Sequence, residues 1–237
     1  MTRALRTWAA RAVETLDDPH ADDAVVLASL RDIARINHLF GGAAAAARRV
    51  DEFLAGAPAG AALTLLDVGT GGGDIPRRVA RVARRRGIEL RLIGLERHRA
   101  AAREAARAGG LSAILADGAR LPLRGRSVDL VLCSKVLHHA PGEAGRRLIA
   151  ELDRVARIAV VVADIRRSAV AAAGIWVAGH LLGFHPATRR DGVISVFRGF
   201  TRAELLGVCA SAGVRASVRS HPGWCLTAAW RPAAATA

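Results

Sequence analysis

Lysine is nearly missing from this sequence. Lys135 is the only one among 35 basic residues, and tyrosine is absent altogether. The net charge of +14 over 237 residues is therefore carried by arginine, in a composition also crowded with alanine, as a GC-rich genome would write a solvated surface. The arginines are dispersed, with their densest run from Arg81 to Arg86. A surface that follows nucleic-acid phosphates clusters its cations and interleaves aromatics on which bases stack. With aromatics at 4%, no stacking platform is visible, so nucleic acid is not the expected partner. Cysteine is scarce too. Cys133, Cys209 and Cys225 form no C-x-x-C pair, and their odd number gives no disulfide framework. They are expected as buried thiols.

Long apolar runs are also wanting. The N-terminal stretch Met1 to Trp8 has no uninterrupted apolar core and is followed by Glu14, Asp17 and Asp18. It does not read as a secretory signal, and a cytoplasmic location is the expectation. Ser168 to Phe184 is apolar but broken by Gly174, Gly179, His180 and Gly183. A span needs roughly 20 residues, so this stretch is expected to form a helical lid rather than cross a membrane. Peripheral contact with a membrane stays open, as does the oligomeric state. The hydrophobic fraction of 51% is ample for one large core.

The most informative segment is Leu65-Leu66-Asp67-Val68-Gly69-Thr70-Gly71-Gly72-Gly73-Asp74. An apolar strand closes on an acid, a turn follows with glycine at alternate positions, and a helical stretch begins at Ile75. The turn is stripped of side chains, which lets a ligand touch backbone. A dinucleotide turn reads G-x-G-x-x-G; here the third glycine comes one residue early and Asp74 takes its place. An acid at a helix N-terminus repels pyrophosphate, so a cationic ligand without phosphate fits better.

Further blocks follow in order. Glu89 to Glu96 reads as a second strand ending in an acid, and Ala113 to Gly118 as a third closing on Asp117-Gly118. Ser127 to Ser134 reads as a fourth, running on into Lys135-Val136-Leu137-His138-His139. Together these blocks resemble the class I S-adenosylmethionine-dependent methyltransferases that act on small molecules, especially the ubiquinone/menaquinone-biosynthesis type. The segments Leu30 to Asn37, Asp164-x-Arg-Arg-Ser168 and Arg190-Asp-Gly-x-x-Ser-x-x-Arg198 resemble a bacterial branch associated with polyketide and phenolic-lipid biosynthesis.

The resemblance implies an α/β fold: a Rossmann-like, doubly wound, seven-stranded, mostly parallel sheet. Residues 1–60 form an N-terminal helical cap on this reading. Residues 61–237 form the methyltransferase domain, with a lid insertion at about 166–200. Helical spacing is expected from Leu5 to Leu16, stopped by Asp17-Asp18-Pro19, with a second helix from near Asp22 to Gly41 and a third from Ala43 to Leu54. His185 to Phe200 reads as a loop or short helix. Thr201 with Glu204 reads as a capping box.

The implied cofactor is S-adenosylmethionine, held by Asp67, Gly69, Thr70, Gly71, Glu96, Asp117, Gly118 and Ser134. Glu96 takes the ribose hydroxyls and Asp117 the adenine amino group, while Asp67 holds the turn through backbone hydrogen bonds. The implied reaction is methylation of a small aromatic or lipophilic hydroxylated acceptor, with oxygen favoured over carbon. A neutral base suits a phenolic acceptor. His139 is the expected base and His138 a structural or cofactor-shielding residue, the alternative being that both only brace the helix start; His185 and Asp191 are a second possible pair. Asp164 reads as a turn carboxylate paired with Arg166 or Arg167, with a catalytic role as the alternative, and Asn37 and His38 either line the pocket or end the second helix. No metal is expected, because Ser134-Lys135 and Asp164-Ile165-Arg166 lack an oxygen-rich ligand set. A base N-methyltransferase would carry an Asn/Asp-Pro-Pro-aromatic motif where Cys133-Ser134-Lys135-Val136 stands. An RNA or protein methyltransferase and a non-catalytic cofactor-binding protein remain the alternative readings.

Overall fold

A computed structural model describes residues 3–18 and 20–233. The expected helix stop at Pro19, and Met1 and Thr2 of the leading segment, lie outside these residues. Nine α-helices and seven strands are formed among the described residues. They are α1 (Arg3–Arg11), α2 (Asp23–Leu39), α3 (Gly42–Leu54), β1 (Ala62–Val68), α4 (Asp74–Arg84), β2 (Glu89–Glu96), α5 (Arg99–Arg107), β3 (Ser112–Leu115) and β4 (Val128–Ser134). After them come α6 (Glu143–Val155), β5 (Ala156–Ile165), α7 (Ala169–Leu181), α8 (Pro186–Arg198), α9 (Arg202–Ser211), β6 (Ser217–His221) and β7 (Cys225–Trp230).

The strands form one sheet in the order β3-β2-β1-β4-β5-β7-β6, and only β7 runs antiparallel to its neighbours. This is the doubly wound, mostly parallel sheet expected. Parallel strands covered on both faces read as continuous apolar runs, and every residue of β4 is buried. On one face α3 and α4 bring Ala45, Val50, Leu54 and Val79 against Leu65, Leu130 and Val161. On the other, α6 and α9 bring Ile149, Leu152 and Leu205 against Leu66, Val131 and Val160. All three cysteines are buried and reduced. Arg81, Arg84, Arg85 and Arg86 face solvent, and Arg86 pairs with Asp51, so the densest basic run is a solvated surface.

The chain order reverses between β1 and β4, which opens a crevice at their carboxyl ends, where doubly wound sheets place ligands. Above it lie α2, α7 and α8. Two elements differ from the sequence expectation. The first helix stops at Arg11 instead of running to Leu16, and residues 12–14 are irregular, with Glu14 extended before a 3-10 turn at Thr15–Asp17. Arg198 causes the break by drawing the Ala9 and Ala12 carbonyls onto its guanidinium. The segment expected as loop or short helix is the 13-residue α8. His185 caps it by accepting the Ala187 N–H on its ring, and Pro186 supplies a pre-set φ at the first turn. The Thr201–Glu204 capping box forms as expected.

Candidate active site

The glycine turn is shaped by what cannot fit in it. Gly69 sits at φ +72°, and a β-carbon there would lie 2.3 Å from Val136 Cγ2. Gly118, across the crevice, has no room either, since a β-carbon would lie 2.9 Å from Val68 Cγ1. Both walls are therefore bare backbone. Glu96, at the end of β2, stiffens the turn. Its Oε2 accepts the Gly71 N–H at 3.0 Å, and its Oε1 accepts the N–H groups of Arg97 and His98 at 2.8 and 3.0 Å. Asp117 accepts the Ala119 N–H at 2.9 Å.

Asp67 departs from expectation, because its buried Oδ1 has no hydrogen-bond partner; Glu96 holds the turn in its place. Burial raises the Asp67 carboxyl to about 8; the Thr70 hydroxyl opposes this, and Asp74 and Glu96 add to it. Asn37 donates through Nδ2 to Asp74 Oδ2 at 3.0 Å, leaving its Oδ1 buried and unpartnered. Lys135 adopts φ +56° just beyond β4. Burial pulls its amine below the ordinary value, against the charge of Asp74 and Asp164.

These groups line one cavity of about 460 Å³. Small-molecule pockets run from roughly 300 to 1,000 Å³. The walls include Leu30, Ile33, Ile36, Ile175, Val196 and Trp224, so much of the cavity is apolar. Every expected cofactor residue lines it: Asp67, Gly69, Thr70, Gly71, Glu96, Asp117, Gly118 and Ser134. So do His138, His139, Asn37, Asp164 and Asp191, whereas His38 and His185 are not among its lining residues. His38 is exposed and His185 is occupied as the cap of α8.

The two adjacent histidines have different surroundings. The His138 side chain is 2% exposed, and its Nδ1 lies 2.8 Å from Asp164 Oδ1. Asp164 Oδ2 accepts the His138 backbone N–H at 3.2 Å, and Oδ1 accepts that of Ile165 at 2.7 Å. Burial pushes Asp164 up, but His138 and these bonds outweigh it and hold the carboxyl below its usual range. Asp164 is thus an acceptor facing His138 Nδ1, and His138 Nε2 is buried with no partner among the described residues. The expected pairing of Asp164 with Arg166 or Arg167 is corrected. Arg167 instead donates to the Gly199 carbonyl and to Glu204, because the end of β5 points Asp164 inward.

His139 belongs to another network. Its Nδ1 lies 2.8 Å from Asp17 Oδ1, and its Nε2 is 3.9 Å from Glu14 Oε2. Arg198 reaches Glu14 Oε1 at 3.0 Å and Asp17 Oδ2 at 2.9 Å, while Ser195 donates to Glu14 at 2.6 Å. Asp191 accepts the Thr15 N–H at 2.7 Å. Burial pushes Asp17 up, yet its bonds to His139 and Arg198 hold it well below the ordinary range. Residues 9–17 are thus strapped over the cavity by one face of α8. Glu14, His138 and His139 bring potential metal-ligating atoms within 4.8 Å of one another. The cation beside Glu14 is the Arg198 guanidinium. The sequence signal for this clamp was available: Asp191, Ser195 and Arg198 stand at helical spacings of four and three, one face of a helix.

A crevice at the switch point of this sheet order, with a glycine turn and acids at successive strand ends, defines the class I methyltransferase fold. Residues 66–163 match the sequence pattern of the family described as a methyltransferase domain. Solved structures of similar fold include an O-methyltransferase family protein from Burkholderia thailandensis, at 14% identity over 97% of this chain and 67% of that one, TM-score 0.64. A SAM-dependent methyltransferase from Aquifex aeolicus aligns at 16% identity over 78% and 88%, TM-score 0.54. Magnesium protoporphyrin IX methyltransferase from Synechocystis PCC 6803, with bound SAH, aligns at 18% identity over 81% and 84%, TM-score 0.52. No curated protein sequence matches the chain. The cofactor is S-adenosylmethionine. The residues present fit it, since the orphaned Asp67 and Asn37 oxygens are acceptors for a cationic group in a cradle bare of side chains.

Proposed function

We propose that this protein transfers a methyl group from S-adenosylmethionine to a hydroxyl oxygen of a small, aromatic or lipophilic acceptor, with His138 as general base. The observation that carries this reading is the buried Asp164–His138 pair: His138 is among the residues that line the apolar cavity, and its buried Nε2 has no partner among the described residues. The cofactor supplies an activated methyl on a sulfonium, so the protein's task is alignment and removal of one proton. Glu96 would hold the ribose hydroxyls and Asp117 the adenine amine. Asp67 and Asn37 would face the methionine amine, and Lys135 its carboxylate. The acceptor's hydroxyl proton passes to His138 Nε2, and Asp164 stabilises the imidazolium that results. Residues 1–60 and 166–200 act as cap and lid, closing water out of the reaction.

Calorimetric titration with S-adenosylhomocysteine tests the cofactor part of this reading. Micromolar binding is expected, and Glu96→Ala should weaken it by roughly tenfold or more, because three backbone N–H groups lose their anchor as well as the ribose its acceptor. A folded wild-type protein that binds none would overturn the reading. Turnover of phenols and hydroquinones tests the acceptor class.

The Asp67 carboxyl gives a pH signature. Its pKa near 8 in the free site means that it is protonated at neutral pH. A cation bound beside it favours the ionised form, so binding below pH 8 must first expel a proton. Affinity for S-adenosylmethionine should therefore rise with pH up to about 8 and then level off, and Asp67→Asn should flatten that rise. A rise that persists unchanged in the variant would assign the proton elsewhere.

A further inference from the structure

The large apolar side chains that this fold leaves in water are concentrated. Among the described residues, all but Leu39 and Leu115 lie on or beside α1 and α7. On α7 the outer face carries Val170, Val177 and Leu181 at helical spacing, with Leu181 81% exposed and Trp176 54% exposed. On α1, Leu5 and Trp8 are exposed as well, and Trp8 meets Phe197 of α8 edge-on at 6.5 Å. Both helices pack on α8, with Ala9 of α1 and Ala171 and Ala172 of α7 in one cluster with its Ile194 and Phe197. α7 carries no acidic residue, lysine or arginine along its length. An apolar helix normally buries all its sides; this one buries only Ala171, Ala172 and Gly179, and lends Ala171, Gly174 and Ile175 to the cavity lining.

The rim of this face is basic. Arg35 lies over the Phe184 ring and donates to the Leu182 carbonyl at the end of α7, with its side chain about half exposed. Arg190 donates to the Val13 carbonyl beside α1 and is exposed, as is Arg11. The nearby acids are partly drawn inward: Asp32 accepts the His185 N–H and lies 3.5 Å from Arg35, and Asp191 accepts the Thr15 N–H and lies 3.9 Å from Arg190. A second copy of the chain on this face would set arginine rims against each other, on a protein of net charge +14. A bilayer meets the same face with hydrocarbon at its centre and anionic headgroups at its rim, and tryptophan is the side chain favoured at that depth.

We propose that α1 and α7 dock this protein on an anionic bilayer surface, and that its acceptor is a membrane-resident lipophile drawn into the cavity past the small residues of α7. The delivery of an acceptor rests on the methyl-transfer reading; the docking does not.

The test is co-sedimentation with vesicles of phosphatidylcholine alone and of phosphatidylcholine with phosphatidylglycerol, for wild type, Val177→Glu/Leu181→Glu and Trp176→Ala. Wild type should bind the anionic vesicles at least about tenfold more tightly than the neutral ones. The double variant should lose about tenfold or more of that affinity, and Trp176→Ala several-fold. S-adenosylhomocysteine titration on each variant shows that the fold is intact; if the double variant fails it, Trp176→Ala decides. Wild-type binding that is absent, or equal in all the variants, would overturn the proposal. So would a dimer in sedimentation equilibrium that the variants dissolve while wild type ignores vesicles, which would give the face to a second copy. Vesicle binding without cofactor binding would sink the methyl-transfer reading and leave the docking standing.

Discussion

His138→Ala is expected to lower turnover by about a hundredfold to ten-thousandfold, the range that a positioned general base contributes, with S-adenosylhomocysteine affinity unchanged. Two histidines stand side by side, and their environments separate them. His138 has one nitrogen fixed by Asp164 and the other free, whereas both ring nitrogens of His139 face carboxylates of the strap. His139→Asn should therefore change turnover by less than about tenfold and act through the strap, seen in acceptor KM. Asp164→Asn leaves the shape of the pair but disturbs the proton arrangement on His138, so a loss of about a hundredfold is expected. A loss of about a hundredfold in His139→Asn, with His138→Ala near wild type, would move the base to that residue.

Arg198→Ala is expected to have the largest effect on stability. This one side chain holds the Ala9 and Ala12 carbonyls and the carboxylates of Glu14 and Asp17, and it is mostly buried. Removing one partner from a buried ion pair costs about 3–5 kcal/mol, because the remaining charge stays desolvated. Partial exposure of Asp17 places this case near the low end, about 3 kcal/mol, or roughly 6–12 °C in Tm for a chain of this size if the loss is global. Glu14 makes the outcome worse, since burial already raises its carboxyl and Arg198 is among the groups that oppose this. The strap should open first, with fast amide exchange confined to about residues 9–17. Wild-type protection there in Arg198→Ala would show that α8 does not clamp the strap. Acceptor KM should rise while cofactor affinity holds, because the glycine turn belongs to a different part of the cavity wall.

The glycine turn and the acids at the strand ends, which the structure gathers on one cavity, were legible in the sequence. Their signals are local: Gly69, Gly71 and Gly73 at alternate positions after an apolar run, an acid at Glu96 closing the next, and Asp117-Gly118 closing the third. Each is a strand end whose backbone form follows from a few consecutive residues, and a parallel sheet brings strand ends together whatever the loops do. The doubly wound, mostly parallel sheet was what the resemblance carried by those blocks implied, while the apolar faces of α2 and α3 followed from helical periodicity. What the tertiary structure alone decided is who pairs with whom. Asp164 finds His138 across 26 residues, Glu14 finds Ser195 across 181, and Arg198 ends α1 by taking its last carbonyls. Composition around Asp164 favoured the adjacent arginines, and helical spacing carried α1 on to Leu16. Both expectations were local, and both gave way to a buried partner from elsewhere in the chain, because a desolvated hydrogen bond or ion pair outweighs a helix propensity of a few tenths of a kcal/mol per residue.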